Sequence, residues 1–171
     1  MTITTPFTER PIVKQFIKFL LVGGISFVID YTIRKLLTDW IHIGSESVGQ
    51  RYGQQILDMW PQLVSKGVTP RAAFFPIACF FAGIVATFNS FAMNRKFTFK
   101  VETKEDRTKQ LLKVYLVTII GSSINIGVST AVYHFVPQLH VLGATACGAG
   151  LAAFWNFAGQ RYFAFQMHKR P

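Results

Sequence analysis

Four apolar stretches, near residues 15–37, 72–93, 111–136 and 139–160, constrain this chain more than any other feature. Crossing about 30 Å of hydrocarbon takes roughly 20 helical residues at about 1.5 Å rise each, and every stretch is long enough. Half of the 171 residues are apolar, 17 of them Phe, and the mean hydropathy is positive at +0.32, so a bilayer is the expected solvent. The expected fold is therefore all-α and integral to the membrane, one domain over 1–171 with four transmembrane helices. The first stretch follows charged residues and lacks a small-residue cleavage site, so a removable signal peptide is not expected.

Charge sets the orientation. Arg10, Lys14 and Lys18 precede or open the first span; Arg95, Lys96, Lys100, Lys104, Arg107, Lys109 and Lys113 fill the loop after the second; Arg161, Lys169 and Arg170 follow the fourth. Thirteen of the 18 basic residues thus fall on one side, against Arg34, Lys35, Arg51, Lys66 and Arg71 on the other. By the positive-inside rule both termini and the 94–113 loop are cytoplasmic. The net charge of +10 reads as topology and contact with anionic headgroups, and not as nucleic-acid binding, because the basic residues flank spans and form no soluble module.

The chain also repeats itself. "FNSFAMNRKFTFK" (88–100) returns as "FWNFAGQRYFAFQ" (154–166): a shift of 66 lays Ser90 on Asn156, Asn94 on Gln160, Arg95 on Arg161, Phe97 on Phe163 and Phe99 on Phe165. "KQFIKFLLVGGISFVID" (14–30) lies over "KQLLKVYLVTIIGSSIN" (109–125) with a shift of 95, which places Gln15 on Gln110 and Asp30 on Asn125. Two hairpins of one design, about 14–99 and 109–165, make parallel repeats. They differ in their outer loops, 39–71 in the first and a turn at Pro137-Gln138-Leu139 in the second.

Within the long loop Tyr52, Ile56, Met59, Trp60 and Leu63 recur at helical spacing opposite Arg51, Gln54, Gln55 and Asp58. Either this helix lies flat on the outer surface, anchored by Trp60, or the loop packs on itself. Each span carries a line of polar or small residues: Gly23, Ser26, Asp30 and Arg34; Gly83, Thr87, Ser90 and Asn94; Thr118, Ser122, Asn125 and Ser129; Thr145, Gly148, Ala152, Asn156 and Gln160. Such faces are expected to turn inward, either to hydrate a path or simply to pack closely, the role also expected of the Gly pairs in "VGG" (22–24) and "GAG" (148–150).

An ionised carboxylate in hydrocarbon costs several kcal/mol unless paired, hydrated or protonated. Asp30 either pairs with Arg34, one turn on, at the interface, or lines a polar path. Arg95 and Arg161 end spans two and four, where a guanidinium fork holds a phosphate by two hydrogen bonds as readily as it anchors a helix. If the segments after them are extended, Arg95, Phe97 and Phe99 share a face, as do Arg161, Phe163 and Phe165. Soluble catalysis finds no support: there is no nucleotide loop, His42, His134, His140 and His168 sit at expected surfaces, and Cys79 and Cys147 read as packing residues. No cofactor, metal site or enzymatic activity is expected.

"FIKFLLVGGISFVIDYTI", "FNSFAMNRKFTF" and "FWNFAGQRYFAF" together resemble the GtrA-like membrane proteins across all four spans. The resemblance implies a small four-span protein of the bacterial inner membrane that moves a polyprenyl-phosphate-linked sugar to the outer leaflet for cell-surface polysaccharide synthesis. Carried over by position, it singles out Asp30, Asn89, Asn94, Arg95, Asn156 and Arg161. With the polar lines, Arg95 and Arg161 become the expected phosphate site, and Asp30, Asn89, Ser90, Asn94, Asn125, Asn156 and Gln160 the expected sugar path. The expected partners are the sugar lipid and a membrane glycosyltransferase that the protein would alternatively only recruit; a homodimer would thicken a four-helix wall.

Overall fold

A computed structural model describes residues 11–101, 106–136, 138 and 140–166. Arg10, Lys104, His168, Lys169, Arg170 and the turn residues Pro137 and Leu139 lie outside the described residues. Helix α1 (Pro11–Lys35) runs on into a π-helical turn, Leu36–Trp40. A hairpin of two-residue strands, β1 (His42–Ile43) and β2 (Glu46–Ser47), turns at Gly44, whose φ of +71° only glycine adopts at no cost. Helix α2 (Val48–Met59) opens on a capping box in which the Gln50 N–H donates to Ser47 Oγ at 3.3 Å and the Ser47 N–H donates to Gln50 Oε1 at 3.4 Å. Then follow α3 (Gln62–Ser65), α4 (Pro70–Met93) with a π-helical turn Asn94–Thr98, α5 (Arg107–Phe135), and α6 (His140–Ala158) with a π-helical turn Gly159–Ala164.

Three helical stretches, Pro11–Trp40, Pro70–Thr98 and Arg107–Phe135, are long and apolar enough to cross a membrane, and α6 is a further helix. Leu21, Phe27, Phe80, Ile126 and Phe154 point outward from them, as side chains against lipid tails do. The described residues fall into two compact units: Gly23–Asn89, and the residues up to Val22 with those from Ser90 onward.

In the first of these, α2 packs through glycine. A Cβ on Gly49 would stand 2.5 Å from the Thr38 carbonyl oxygen, and one on Gly53 would overlap the Pro70 carbonyl. Gly49, Gly53 and Leu57 are the buried face of α2, while Tyr52 stacks on Phe74 with ring centroids 6.2 Å apart. Met59 and Trp60 stay exposed, because the packed face of α2 is set by close backbone approach at two glycines one turn apart.

The other unit has a core with internal two-fold character. Phe99 and Phe165 are fully buried with centroids 5.1 Å apart. Phe91 lies 6.0 Å from Phe165 and Phe157 lies 5.9 Å from Phe99, and the shift of 66 converts one pair into the other. Phe16 and Leu111, and Phe19 and Val114, related by the shift of 95, complete the cluster. Helices α5 and α6 meet over small residues: a Cβ on Gly148 would stand 2.5 Å from the Asn125 carbonyl oxygen, and one on Gly159 would stand 2.6 Å from Val117 Cγ1. Gly23, Gly24 and Gly150, by contrast, have nothing within 4 Å of where a Cβ would sit, so the expected close packing holds at Gly148 alone of the two glycine pairs. In α5 the buried face is Gln110, Val114, Val117 and Gly121; of the polar line beside it, Ser122 is exposed and Thr118, Asn125 and Ser129 are half-buried.

Candidate functional site

The repeated ends of α4 and α6 are π-helical, not extended. The Phe99 N–H donates to the Asn94 carbonyl and the Phe165 N–H to the Gln160 carbonyl, each at 2.8 Å and each five residues back. Both ends leave through a left-handed residue at the equivalent position, Lys100 with φ +47° and Gln166 with φ +48°. Such a non-glycine residue costs about 1–2 kcal/mol, offset in the first repeat by the Val101 N–H bonding to the Arg95 carbonyl at 2.8 Å. In a helical turn residues two apart point to nearly opposite sides. Phe99 and Phe165 therefore enter the core while Phe97 and Phe163 stay exposed, and the expected shared face of arginine and two phenylalanines does not form.

The repeat-equivalent amides bond to each other instead. Asn94 Nδ2 donates to Gln160 Oε1 at 3.0 Å and to Ser90 Oγ at 3.2 Å, and Thr98 Oγ1 donates to Asn94 Oδ1 at 2.8 Å. Asn94 is 0% exposed and Gln160 2%, where a polar group is tolerated only with partners.

The two arginines differ. Arg95 Nε donates to Oε1 of the buried Gln110 at 3.1 Å, a contact that crosses from one repeat to the other. Applying both shifts, its two-fold counterpart would join Arg161 to Gln15. That bond is not made: Arg161 Nε and Nη1 and Gln15 Oε1 are buried with no hydrogen-bond partner. The Arg161 guanidinium carbon lies 5.4 Å from the Tyr162 ring centroid, and Lys113 Nζ lies 5.6 Å from that of Phe163. Each buried donor without an acceptor costs about 1–3 kcal/mol, and a phosphate offers two oxygens at the spacing of a guanidinium fork.

Asn156 lies over Gly121, where a Cβ would stand 2.8 Å from its Cγ, and its Oδ1 is buried without a partner. Asn125 Oδ1 accepts from Ser129 Oγ at 3.2 Å. Ser90, Asn94, Arg95, Asn125, Asn156, Gln160 and Arg161 thus share one unit, and Asp30 and Asn89 belong to the other. Asp30 pairs with Arg34, whose Nη1 donates to Cys79 Sγ at 3.7 Å, and Asn89 Nδ2 donates to Ser26 Oγ at 3.1 Å. Cys147, expected to pack, is exposed, because it precedes the buried Gly148 by one residue and so points away from the α5 contact. Gln15 and Gln110 showed in the sequence only as a pair matched by the shift of 95, with no role attached, and Thr98 carried no signal there.

Among the described residues no three His, Cys, Asp or Glu side chains are grouped to hold a metal ion. No curated protein matches the chain. Residues 18–165 match the family described as GtrA/DPMS, transmembrane domain. Matched from the first apolar helix to the last π-helical turn, the chain belongs to the GtrA/DPMS transmembrane-domain family, multi-pass membrane proteins of lipid-linked sugar metabolism.

Proposed function

We propose that the protein translocates a polyprenyl-phosphate-linked sugar from the cytoplasmic to the outer leaflet of a bacterial inner membrane, as a four-span, non-enzymatic carrier with both termini inside. The observation that carries this reading is the inequality of the two repeated ends: Arg95 is bonded to Gln110, while Arg161 keeps two buried guanidinium nitrogens without acceptors. A lipid phosphate docked at the arginine ends accepts from such a fork through charge-assisted hydrogen bonds. The prenyl tail stays among the exposed apolar side chains, which lipid already wets. The sugar hydroxyls require partners away from water, and Ser90, Asn125 and Asn156, which share one unit, are the groups assigned to them. Asn156 supports this best, since its carbonyl oxygen is buried and open to a donor.

The test is sugar-lipid translocation in liposomes by an Arg95→Gln/Arg161→Gln double variant. Translocation should fall to the protein-free rate; undiminished transport would remove the phosphate assignment. If transport is absent even in the wild-type protein while a glycosyltransferase co-purifies with it, the protein recruits that enzyme and does not transport.

A further inference from the structure

The long loop builds a recess that none of the residues above explains. At the C-terminal end of α1 and the start of α4, Tyr31, Arg34, Lys35, Asp39, Arg71 and Phe75 line an open cavity of about 410 Å³. Its two sides are brought together by α2. Gly49 seats on the backbone of Thr38, beside Asp39, and Gly53 seats on the carbonyl of Pro70, beside Arg71. The consequence is an ion cluster between segments far apart in sequence: Asp39 takes Lys35 at 2.8 Å and Arg71 at 3.5 Å.

The charges there do not cancel. Asp30 serves Arg34, and Asp39 serves both Lys35 and Arg71, so two carboxylates face three cations. Arg71 is 55% exposed on its side chain, and Arg34 Nε is buried with no partner. Two aromatic residues, Tyr31 and Phe75, each about half exposed, line the same recess. A guanidinium and an ammonium with donors to spare select an anion of phosphate type, since both place N–H groups toward its oxygens. Apolar aromatic walls select a partner with a C–H face, and the volume lies within the range of small-ligand sites. An inorganic anion alone would leave the rings unused.

We infer that this recess binds a glycosyl phosphate ester, with the phosphate on Lys35 and Arg71 and the sugar against Tyr31 and Phe75. That it receives the translocated lipid rests on the translocation reading; its affinity for the ester does not. The same phosphate chemistry is offered by a membrane-anchored lipid and by a free sugar phosphate, and the measurement separates them.

The full-length protein in neutral-lipid nanodiscs is titrated calorimetrically with a hexose 1-phosphate, with inorganic phosphate and with a methyl hexoside. Binding should be tightest for the ester, with Lys35→Gln and Arg71→Gln each weakening it at least about tenfold and Phe75→Leu about threefold. A hexoside that binds as well as the ester, an ester that does not bind, or undiminished binding by either cation variant overturns the assignment. A second arm uses vesicles carrying a polyprenyl-phosphate hexose: if the lipid-borne ester is preferred, it should displace the free ester at lower concentration. Displacement by phosphatidylglycerol at equal concentration would instead make this an ordinary headgroup contact and overturn the inference. Gly53→Ala tests the recess as built, because it must part α2 from Pro70; ester binding should fall with Lys35, Asp39 and Arg71 all unchanged. A wild-type protein that transports yet binds no ester here sinks the recess alone, whereas ester binding without transport sinks the carrier reading alone.

Discussion

Replacing Asn94 by Ala tests whether the two repeats are joined by their own equivalent residues. The substitution deletes three hydrogen bonds, to Gln160, Ser90 and Thr98, at a site with 0% exposure. Side-chain hydrogen bonds in membrane proteins average about 0.6 kcal/mol each, which gives about 2 kcal/mol for the three. Gln160 Oε1 then loses a partner while remaining buried, adding about 1 kcal/mol or more. A loss near 3 kcal/mol in unfolding free energy, measured by denaturant titration in mixed micelles, is the expected result. The bond between repeats is isolated by a double-mutant cycle with Gln160→Ala, for which a coupling of about 0.6–1.7 kcal/mol is expected. The pair Asn125 and Ser129, bonded at 3.2 Å within α5, serves as a cycle that joins no repeats. If Asn94 and Gln160 prove additive to within about 0.3 kcal/mol, the contact carries no energy and the two repeats are not joined through these amides.

Single arginine variants should separate by readout: Arg95→Gln lowers stability by about 1–3 kcal/mol through its bond to Gln110, seen as a lower midpoint of unfolding. Arg161→Gln should not lower stability, since it breaks no guanidinium hydrogen bond at Nε or Nη1 and removes buried donors without acceptors, and should weaken binding of a polyprenyl phosphate by about 100-fold, as loss of a charge-assisted pair implies. Gly148→Ala should destabilise by about 1–3 kcal/mol, since its methyl would stand 2.5 Å from the Asn125 carbonyl oxygen and force α5 and α6 apart. Gly23→Ala should do the opposite, gaining about 0.5–1 kcal/mol in thermal unfolding, because nothing lies within 4 Å of the new methyl and helical glycine is entropically costly.

Much of the candidate site was legible as a pattern and illegible as a geometry. Arg95 and Arg161 were visible as repeats of each other, and so were Asn94 and Gln160. That the amides touch and the arginines do not share a state depends on which helix faces meet, and no spacing within one segment reports that. The phenylalanines show the same limit: a period of two reads as a strand, yet a wide helical turn sends Phe99 inward and leaves Phe97 outside.

By itself the sequence determined the helices, the apolar surfaces and the two-fold plan, because burial in hydrocarbon acts on each segment separately and composition and period record it. Only the tertiary structure decided the rest: which glycines touch, that Gln110 satisfies Arg95 while Gln15 leaves Arg161 open, and that α2 draws Asp39 and Arg71 to one recess. Those outcomes follow from short-range contacts between residues distant in the chain. Tenths of an ångström in helix approach decide them, and the linear order of residues carries no such distance.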